Sequence, residues 1–178
     1  MTLTPSWVVF GKSFDFSDKR PAPTATLMLD QIRDLYQEVV FDHNRNPRNF
    51  RVMEDATRTI DGFNPLCGDR ITLYVKLKDG RIEDVSFQGS GCAISTASAS
   101  LMTEIVRGQT EAEAEHLFEL FHRITTGKNG DEVNLDEIGK LAVLAGVRAY
   151  PARVKCATLA WHSLQAALKD DHSTVSTE

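Results

Sequence analysis

One run of alternating residues predicts a β-hairpin, and this hairpin constrains the fold of the chain more than any other segment. Apolar residues alternate with polar residues through the stretch 71–78, and the apolar members are Ile71, Leu73, Val75 and Leu77. Because successive side chains of a strand point to opposite faces, this period places the apolar set on one face. The turn dipeptide Asp79-Gly80 follows, and the stretch 82–87 is the predicted return strand. A strand around residues 58–63 completes a predicted antiparallel sheet of three strands.

Segments with helical periodicity surround this sheet. An apolar stripe runs from Leu29 to Val40 and ends at the breaker cluster 44–47, and a second stripe covers 93–106. Thr110 and Glu113 form a capping-box pattern before a further helix, which has Gly127 as its predicted end. Two more helices are predicted over 135–147 and after residue 156. The predicted fold class is therefore α+β, with a small three-stranded antiparallel sheet packed against several helices.

Three cysteines lie at predicted junctions between these elements. Cys67 falls in the loop between the first two strands, Cys92 at the start of the helix 93–106, and Cys156 just before the last helical stripe. A thiol at a helix start meets the positive end of the helix dipole, so we expect lowered pKa values for Cys92 and Cys156. Asp69 follows Cys67 after a single glycine, so a tight turn can direct both side chains to one point. We expect the Cys67 loop and Cys92 to meet at one edge of the sheet.

Three thiols and one carboxylate have the number and the chemistry needed for one four-coordinate metal site. Such ligands suit Zn²⁺ or an iron–sulfur cluster, whereas Mg²⁺ and Ca²⁺ do not seek sulfur. The long gaps between the thiols are not a zinc-finger pattern, and three buried core cysteines remain the alternative. Two histidines are expected to lie outside the site: His43 at the end of the first helix, and His162 nearly two helical turns beyond Cys156.

Three motifs carry a family resemblance. The segments Asn-Pro-Leu-Cys-Gly-Asp (64–69), Gly-Ser-Gly-Cys-Ala-Ile-Ser (89–95) and Arg-Val-Lys-Cys-Ala-Thr-Leu-Ala-Trp-His (153–162) occur in this order. They resemble the IscU/NifU N-terminal family of iron–sulfur assembly proteins, and most closely its SufU branch. SufU-type proteins have an extra segment between the second and third cysteines, and here residues 126–139 are the predicted insertion. Lys155 stands where IscU-type proteins have a histidine, which also favours the SufU branch.

The resemblance implies a SufE/NifU-like fold with a metal site at one edge of the sheet. It implies Zn²⁺ as the bound metal, with a transient [2Fe-2S] cluster as the alternative, and it implies these ligands: Cys67, Asp69, Cys92 and Cys156. Cys67 would be the sulfur acceptor. Arg153 would help docking or orient the site, unless it is a plain surface cation.

The implied activity is that of a zinc-dependent sulfurtransferase. Its implied partners are a pyridoxal-phosphate cysteine desulfurase of the SufS type and downstream iron–sulfur assembly proteins. Two alternatives remain: a scaffold that assembles a [2Fe-2S] cluster and passes it on, and a purely structural zinc domain.

Length, charge and cysteine content indicate the domain organisation, the excluded partners and the cellular compartment. The 178 residues suit a single domain, for which the sequence predicts a disordered leader over 1–26, the main domain over 27–170 and a flexible tail over 171–178. A net charge of −5 argues against nucleic-acid and anionic-membrane partners. No apolar run approaches the roughly 20 residues that span a bilayer. An odd number of cysteines fits a reducing compartment, so we expect a cytoplasmic protein.

Overall fold

The computed structural model describes residues 8–9, 12–13, 36–127, 138–171 and 173–177. Within the predicted leader 1–26, two short strands pair in antiparallel fashion: β1 (Val8–Val9) and β2 (Lys12–Ser13). The rest of that leader, and residues 128–137 of the predicted insertion, lie outside the described residues.

The remaining elements are helices and the strands of one sheet. Helix α1 covers 36–45 in the described part of the chain, and the other elements follow in this order: β3 (Arg58–Asn64), β4 (Asp69–Lys78), β5 (Arg81–Ser90), α2 (Ala93–Val106), α3 (Glu111–Thr126), a 3₁₀ helix (Gly139–Ala149), α4 (Pro151–Leu168) and β6 (Val175–Ser176).

The predicted hairpin is confirmed. Strands β4 and β5 pair in antiparallel register from Arg70–Ser90 to Lys78–Arg81, with one bulge after Lys76. Asp79 and Gly80 have φ values of 51° and 72°, the left-handed pair that a two-residue hairpin turn requires. Strand β3 pairs with β4 down to Asn64 opposite Asp69, so the four residues 65–68 form a tight connection.

The predicted number of strands was wrong. The sheet has four strands in the order β5-β4-β3-β6, and it is mixed because β6 runs parallel to β3. Val175 and Ser176 pair with Gly62 and Phe63, within the segment for which the sequence predicted a flexible tail. Two residues are too few to show an alternating pattern, so this strand depends on its partner rather than on its own sequence.

The core lies between one face of the sheet and the helices. The apolar face of β4, with Ile71, Leu73 and Val75, is buried, and α4 packs across it. At Gly62 the helix comes so close that an added Cβ would lie 2.6 Å from Ser163 Oγ. Within α4, Trp161 is fully buried and stacks on Phe121 of α3 with ring centroids 4.7 Å apart. The position of α4 on the sheet is therefore fixed by close packing.

Two predicted helices are confirmed, and two require correction. Helix α2 covers the predicted range 93–106, and α3 begins with the complete capping box of Thr110 and Glu113. In place of the predicted helix over 135–147, the described chain has a 3₁₀ helix over 139–149. The last helix begins at Pro151, five residues before Cys156, whereas the sequence predicted a start after residue 156. Among the described residues, no helix is both long and apolar enough to span a membrane.

Candidate metal centre

Cys67 lies in the tight connection between β3 and β4. The Gly68 N–H donates to Asn64 O over 2.8 Å, and Gly68 adopts a φ of 72°, which a side chain would strain. This turn leaves the Cys67 thiol exposed. The Cys67 sulfur nevertheless lies 3.1 Å from the sulfur of Cys156, so one exposed and one buried thiol are in direct contact.

Asp69 is the first residue of β4, and its side chain is completely buried. Its Oδ1 accepts a hydrogen bond from the backbone N–H of Cys92 over 2.8 Å. Its Oδ2 accepts one from the side-chain amide of Asn64 over 3.0 Å. These two bonds fix the carboxylate at the edge of the sheet. Neither donor carries a full positive charge, although a buried carboxylate is ordinarily paired with a positively charged group.

Cys92 is the N-cap residue of α2, as the sequence predicts. Its sulfur accepts a hydrogen bond from Ser95 N over 3.4 Å, while its own N–H binds Asp69. A hydrogen bond therefore joins the Cys92 backbone to the Asp69 carboxylate and holds Cys92 at the same edge of the sheet.

Cys156 does not lie at a helix start, contrary to the expectation from sequence. It lies in the second turn of α4, where it is 2% exposed and its sulfur lies 3.4 Å from Ala152 O. Burial is the main cause that raises the pKa of this thiol, and the contacts with Cys67 and Asp69 act in the same direction. The sequence predicted a lowered pKa from the helix dipole, but the second turn of α4 is not the helix start at which that effect acts. A bound cation would favour the thiolate, because a metal removes the proton from a coordinating thiol.

The ligand atoms of Cys67, Asp69 and Cys156 all lie within 4.8 Å of one another. The structure thus brings three of the four predicted ligands into one group. The Cys92 sulfur is not a member of this group, since it caps α2. Two thiols and a buried carboxylate would repel one another as anions, so the donor set fits a thiophilic cation such as Zn²⁺.

Arg153 lies one turn before Cys156 in α4. Its guanidinium group lies over the ring of Tyr150, 4.3 Å from the centroid, and Tyr150 is itself 52% exposed. The half-buried Tyr36 of α1 is close enough to respond to this charge. Burial raises the pKa of Tyr36, and the positive charge of Arg153 opposes that rise. Arg153 is therefore an exposed cation one helical turn before Cys156, and its charge reaches Tyr36 of α1.

The two histidines have other partners. Nδ1 of His43 is 2.8 Å from Ser100 Oγ, and this side chain is buried between α1 and α2. His162 packs its ring against Phe118, with centroids 5.3 Å apart, and also against His122. Neither ring belongs to the group of ligand atoms formed by Cys67, Asp69 and Cys156.

Sequence reasoning missed two residues that shape the site. Asn64 was noticed only as part of a motif, yet its amide contacts Asp69 and also lies 3.3 Å from the Cys156 sulfur. Gly91 lies so close to Asp69 that an added Cβ would be 2.9 Å from Oδ1. The sequence shows that Asn64 and Gly91 lie near the cysteines. It does not show their contacts, because these form only when segments distant in sequence pack together.

Comparisons with known proteins identify the family of this chain. The family model for the NifU-like N-terminal domain matches residues 35–157. A Bacillus subtilis (strain 168) protein named zinc-dependent sulfurtransferase SufU is 44% identical over 131 residues, which cover 74% of this chain and 87% of that protein. A Streptococcus pyogenes serotype M1 protein named iron–sulfur cluster assembly scaffold protein IscU is 40% identical over 143 residues, which cover 80% of this chain and 88% of that protein.

A solved structure from the thermophile Fervidobacterium islandicum AW-1 shares the fold. It is described as an iron–sulfur cluster assembly scaffold protein for the SUF system. It superposes with a TM-score of 0.70 at 34% identity and covers 76% of this chain and 98% of its own. Family match, sequence relatives and fold lead to one conclusion: the chain belongs to the NifU-like N-terminal domain family, the IscU/SufU group of iron–sulfur cluster assembly proteins.

Proposed function

We propose that this protein is a zinc-dependent sulfur carrier for iron–sulfur cluster assembly. It would accept persulfide sulfur from a pyridoxal-phosphate cysteine desulfurase of the SufS type and pass it to downstream assembly proteins. The main support for this proposal is that the three grouped ligands differ in exposure: Cys67 is exposed, whereas Asp69 and Cys156 are buried. The Bacillus subtilis relative, which is named zinc-dependent sulfurtransferase SufU, supports the same activity.

The proposed ligands are Cys67, Asp69, Cys92 and Cys156. Zinc bound by them would keep the Cys67 sulfur as a thiolate at neutral pH. Other contacts within the protein hold these ligands in position. Asn64 and the Cys92 N–H hold the Asp69 carboxylate, and α4 holds the Cys156 sulfur. The turn at Gly68 presents Cys67 to the outside, so its sulfur is the one that a partner can reach.

The transfer step is a thiolate–persulfide exchange. The Cys67 thiolate attacks the outer sulfur of the persulfide on the desulfurase cysteine. A new sulfur–sulfur bond forms on Cys67, the bond inside the original persulfide breaks, and the desulfurase cysteine leaves as a thiolate. The proton of the transferred sulfur moves with it, and no outside oxidant or reductant is needed.

Arg153 is proposed to help dock the desulfurase. Its charge lies over the exposed ring of Tyr150, one helical turn before Cys156. A plain surface cation remains the alternative role. The three free cysteines suit a reducing compartment such as the cytoplasm, and we propose that location.

Alanine release by a cysteine desulfurase, measured with and without this protein, tests the proposal. We expect the zinc-loaded wild type to accelerate release and Cys67→Ala to abolish the acceleration. Alkylation and peptide mass spectrometry should find the added sulfur on Cys67. Asp69→Asn is the matched control, because it weakens metal retention but keeps the acceptor thiol, so partial acceleration is expected. Unchanged acceleration by Cys67→Ala would refute the acceptor role.

A second candidate function is a scaffold on which a [2Fe-2S] cluster is assembled. The Streptococcus pyogenes relative, which is 40% identical, bears a scaffold name, and the same donors can bind iron–sulfur clusters. Metal analysis of the purified protein separates the two functions. A colourless protein with about one zinc per chain supports the carrier, whereas a brown protein containing iron and sulfide supports the scaffold.

A further inference from the structure

The side chain of Asn64 joins parts of the site that come from different elements. Asn64 is completely buried at the end of β3. Its Nδ2 donates to Asp69 Oδ2 over 3.0 Å and to the Cys156 sulfur over 3.3 Å. The residues in these two contacts lie 5 and 92 positions away in sequence. One amide group therefore links the start of β4 to the second turn of α4.

The orientation of this amide is determined by a third contact. Its Oδ1 accepts a hydrogen bond from the backbone N–H of Leu66 over 3.2 Å. That N–H can only donate, so the oxygen end must face the turn and the NH₂ end must face the two ligand atoms. The two amide protons match the two acceptors, a carboxylate oxygen and a sulfur. This arrangement fixes the two ligand atoms relative to each other, because each accepts one proton of the same planar amide.

We propose that Asn64 is a positioning residue that makes Asp69 and Cys156 the permanent ligands of the metal centre, so that Cys67 is the ligand that is released; this role rests on the proposed function. A sulfur that accepts an N–H bond carries less charge and is a weaker nucleophile. The Cys156 sulfur receives such a bond inside the protein, and the Cys67 sulfur lies 3.1 Å from it on the exposed side of the pair. Asn64 thus makes two neighbouring thiols chemically unequal.

Two substitutions separate hydrogen bonding from packing. Asn64→Ala removes the whole side-chain amide, whereas Asn64→Leu keeps a side chain of similar size that cannot donate to Asp69 or Cys156. The matched control is Ser98→Ala, which removes a buried hydrogen bond to Ala157 O, beside Cys156 but without contact to any ligand atom. Loss of a residue that orients metal ligands typically weakens metal binding by about 10–100-fold.

Metal affinity is measured by competition with a chelator, and ligand environment by the visible and near-ultraviolet absorption of the cobalt-substituted protein. We expect both Asn64 variants to lose about 10–100-fold in affinity and to shift the sulfur-to-cobalt absorption, while Ser98→Ala changes neither. In cadmium-loaded wild type, NMR should detect scalar coupling between the metal and the Asn64 side-chain amide protons. The NMR measurement uses the wild-type protein, so it tests the proposal even if the variants fold poorly.

A packing role makes a different prediction. In that case Asn64→Leu would keep the wild-type affinity and cobalt spectrum, Asn64→Ala would lose only thermal stability, and no coupling to cadmium would appear. Any of these results would overturn the proposal. None of the measurements involves a desulfurase, so failure of the sulfur-carrier function would show separately, as metal binding without acceleration.

Discussion

Gly91→Ala is the substitution that tests the position of the Asp69 carboxylate most directly. A Cβ at residue 91 would lie 2.9 Å from Asp69 Oδ1 and 3.3 Å from its Cβ and Cγ. The first distance is shorter than carbon–oxygen contact allows, so one of the two groups must move. The backbone itself accepts alanine, because Gly91 is not among the glycines with positive φ. The substitution therefore acts on the carboxylate and leaves the local chain conformation possible.

The cost follows from the contacts of Asp69. Its side chain is completely buried, and Oδ1 holds the Cys92 N–H at 2.8 Å. Displacement of this oxygen gives up at least that bond, and a hydrogen bond to a charged group contributes about 1.5–3 kcal/mol. Since 1.4 kcal/mol is tenfold in an equilibrium constant, we expect metal affinity to fall by about 10–100-fold.

Chelator competition with the purified zinc-loaded protein measures this affinity, and urea unfolding of the metal-free protein measures any general loss of stability. Gly146→Ala is the matched control, because an added Cβ there meets open space and the residue also lacks a positive φ. The control should bind zinc as the wild type does. If Gly91→Ala also retained the wild-type affinity, Asp69 would not be a ligand in the position described.

Two further predictions concern the fold. Trp161→Ala should lower the free energy of unfolding by about 3–5 kcal/mol, because the ring is fully buried against Phe121; a loss below 1 kcal/mol in urea denaturation would contradict the packing (about 1 kcal/mol is the typical effect of a point mutation). Burial chiefly lowers the pKa of His43 in the folded protein, so the unfolded chain binds its proton more readily. Stability should therefore be complete above about pH 6.5 and fall as pH drops through that value, and His43→Gln should reduce this slope; equal slopes would exclude His43 as a cause.

Local patterns determined the parts of the fold that sequence could predict. The alternation through 71–78 and the Asp79-Gly80 dipeptide specify a hairpin by themselves, and Thr110 with Glu113 specifies a helix start. Cys92 was correctly placed because a glycine-rich segment precedes an unbroken helical period. In each case the responsible interactions lie within a few residues, so the signal is present in one continuous segment.

Other features depend on contacts between distant segments. Pro151 can either end one helix or begin the next, and only the packing of α4 on the sheet shows that it begins one and places Cys156 in the second turn. The role of Asn64 was equally invisible, because its partner Cys156 is 92 positions away. The proximity of Cys67, Asp69 and Cys156 likewise depends on tertiary packing, although their chemistry could be recognised beforehand.

The short strand β6 has a consequence for association between copies of the chain. A free strand edge exposes unpaired backbone groups, which can recruit the strands of other molecules into aggregates. Strand β6 occupies the β3 edge at Gly62 and Phe63, and on the opposite edge Phe87 and Arg81 of β5 form bridges with Phe50 and Thr110. Short segments of the same chain therefore pair with both edges of the sheet. Removal of the last few residues would uncover one side while leaving the metal ligands in place, and would make the protein more prone to self-association.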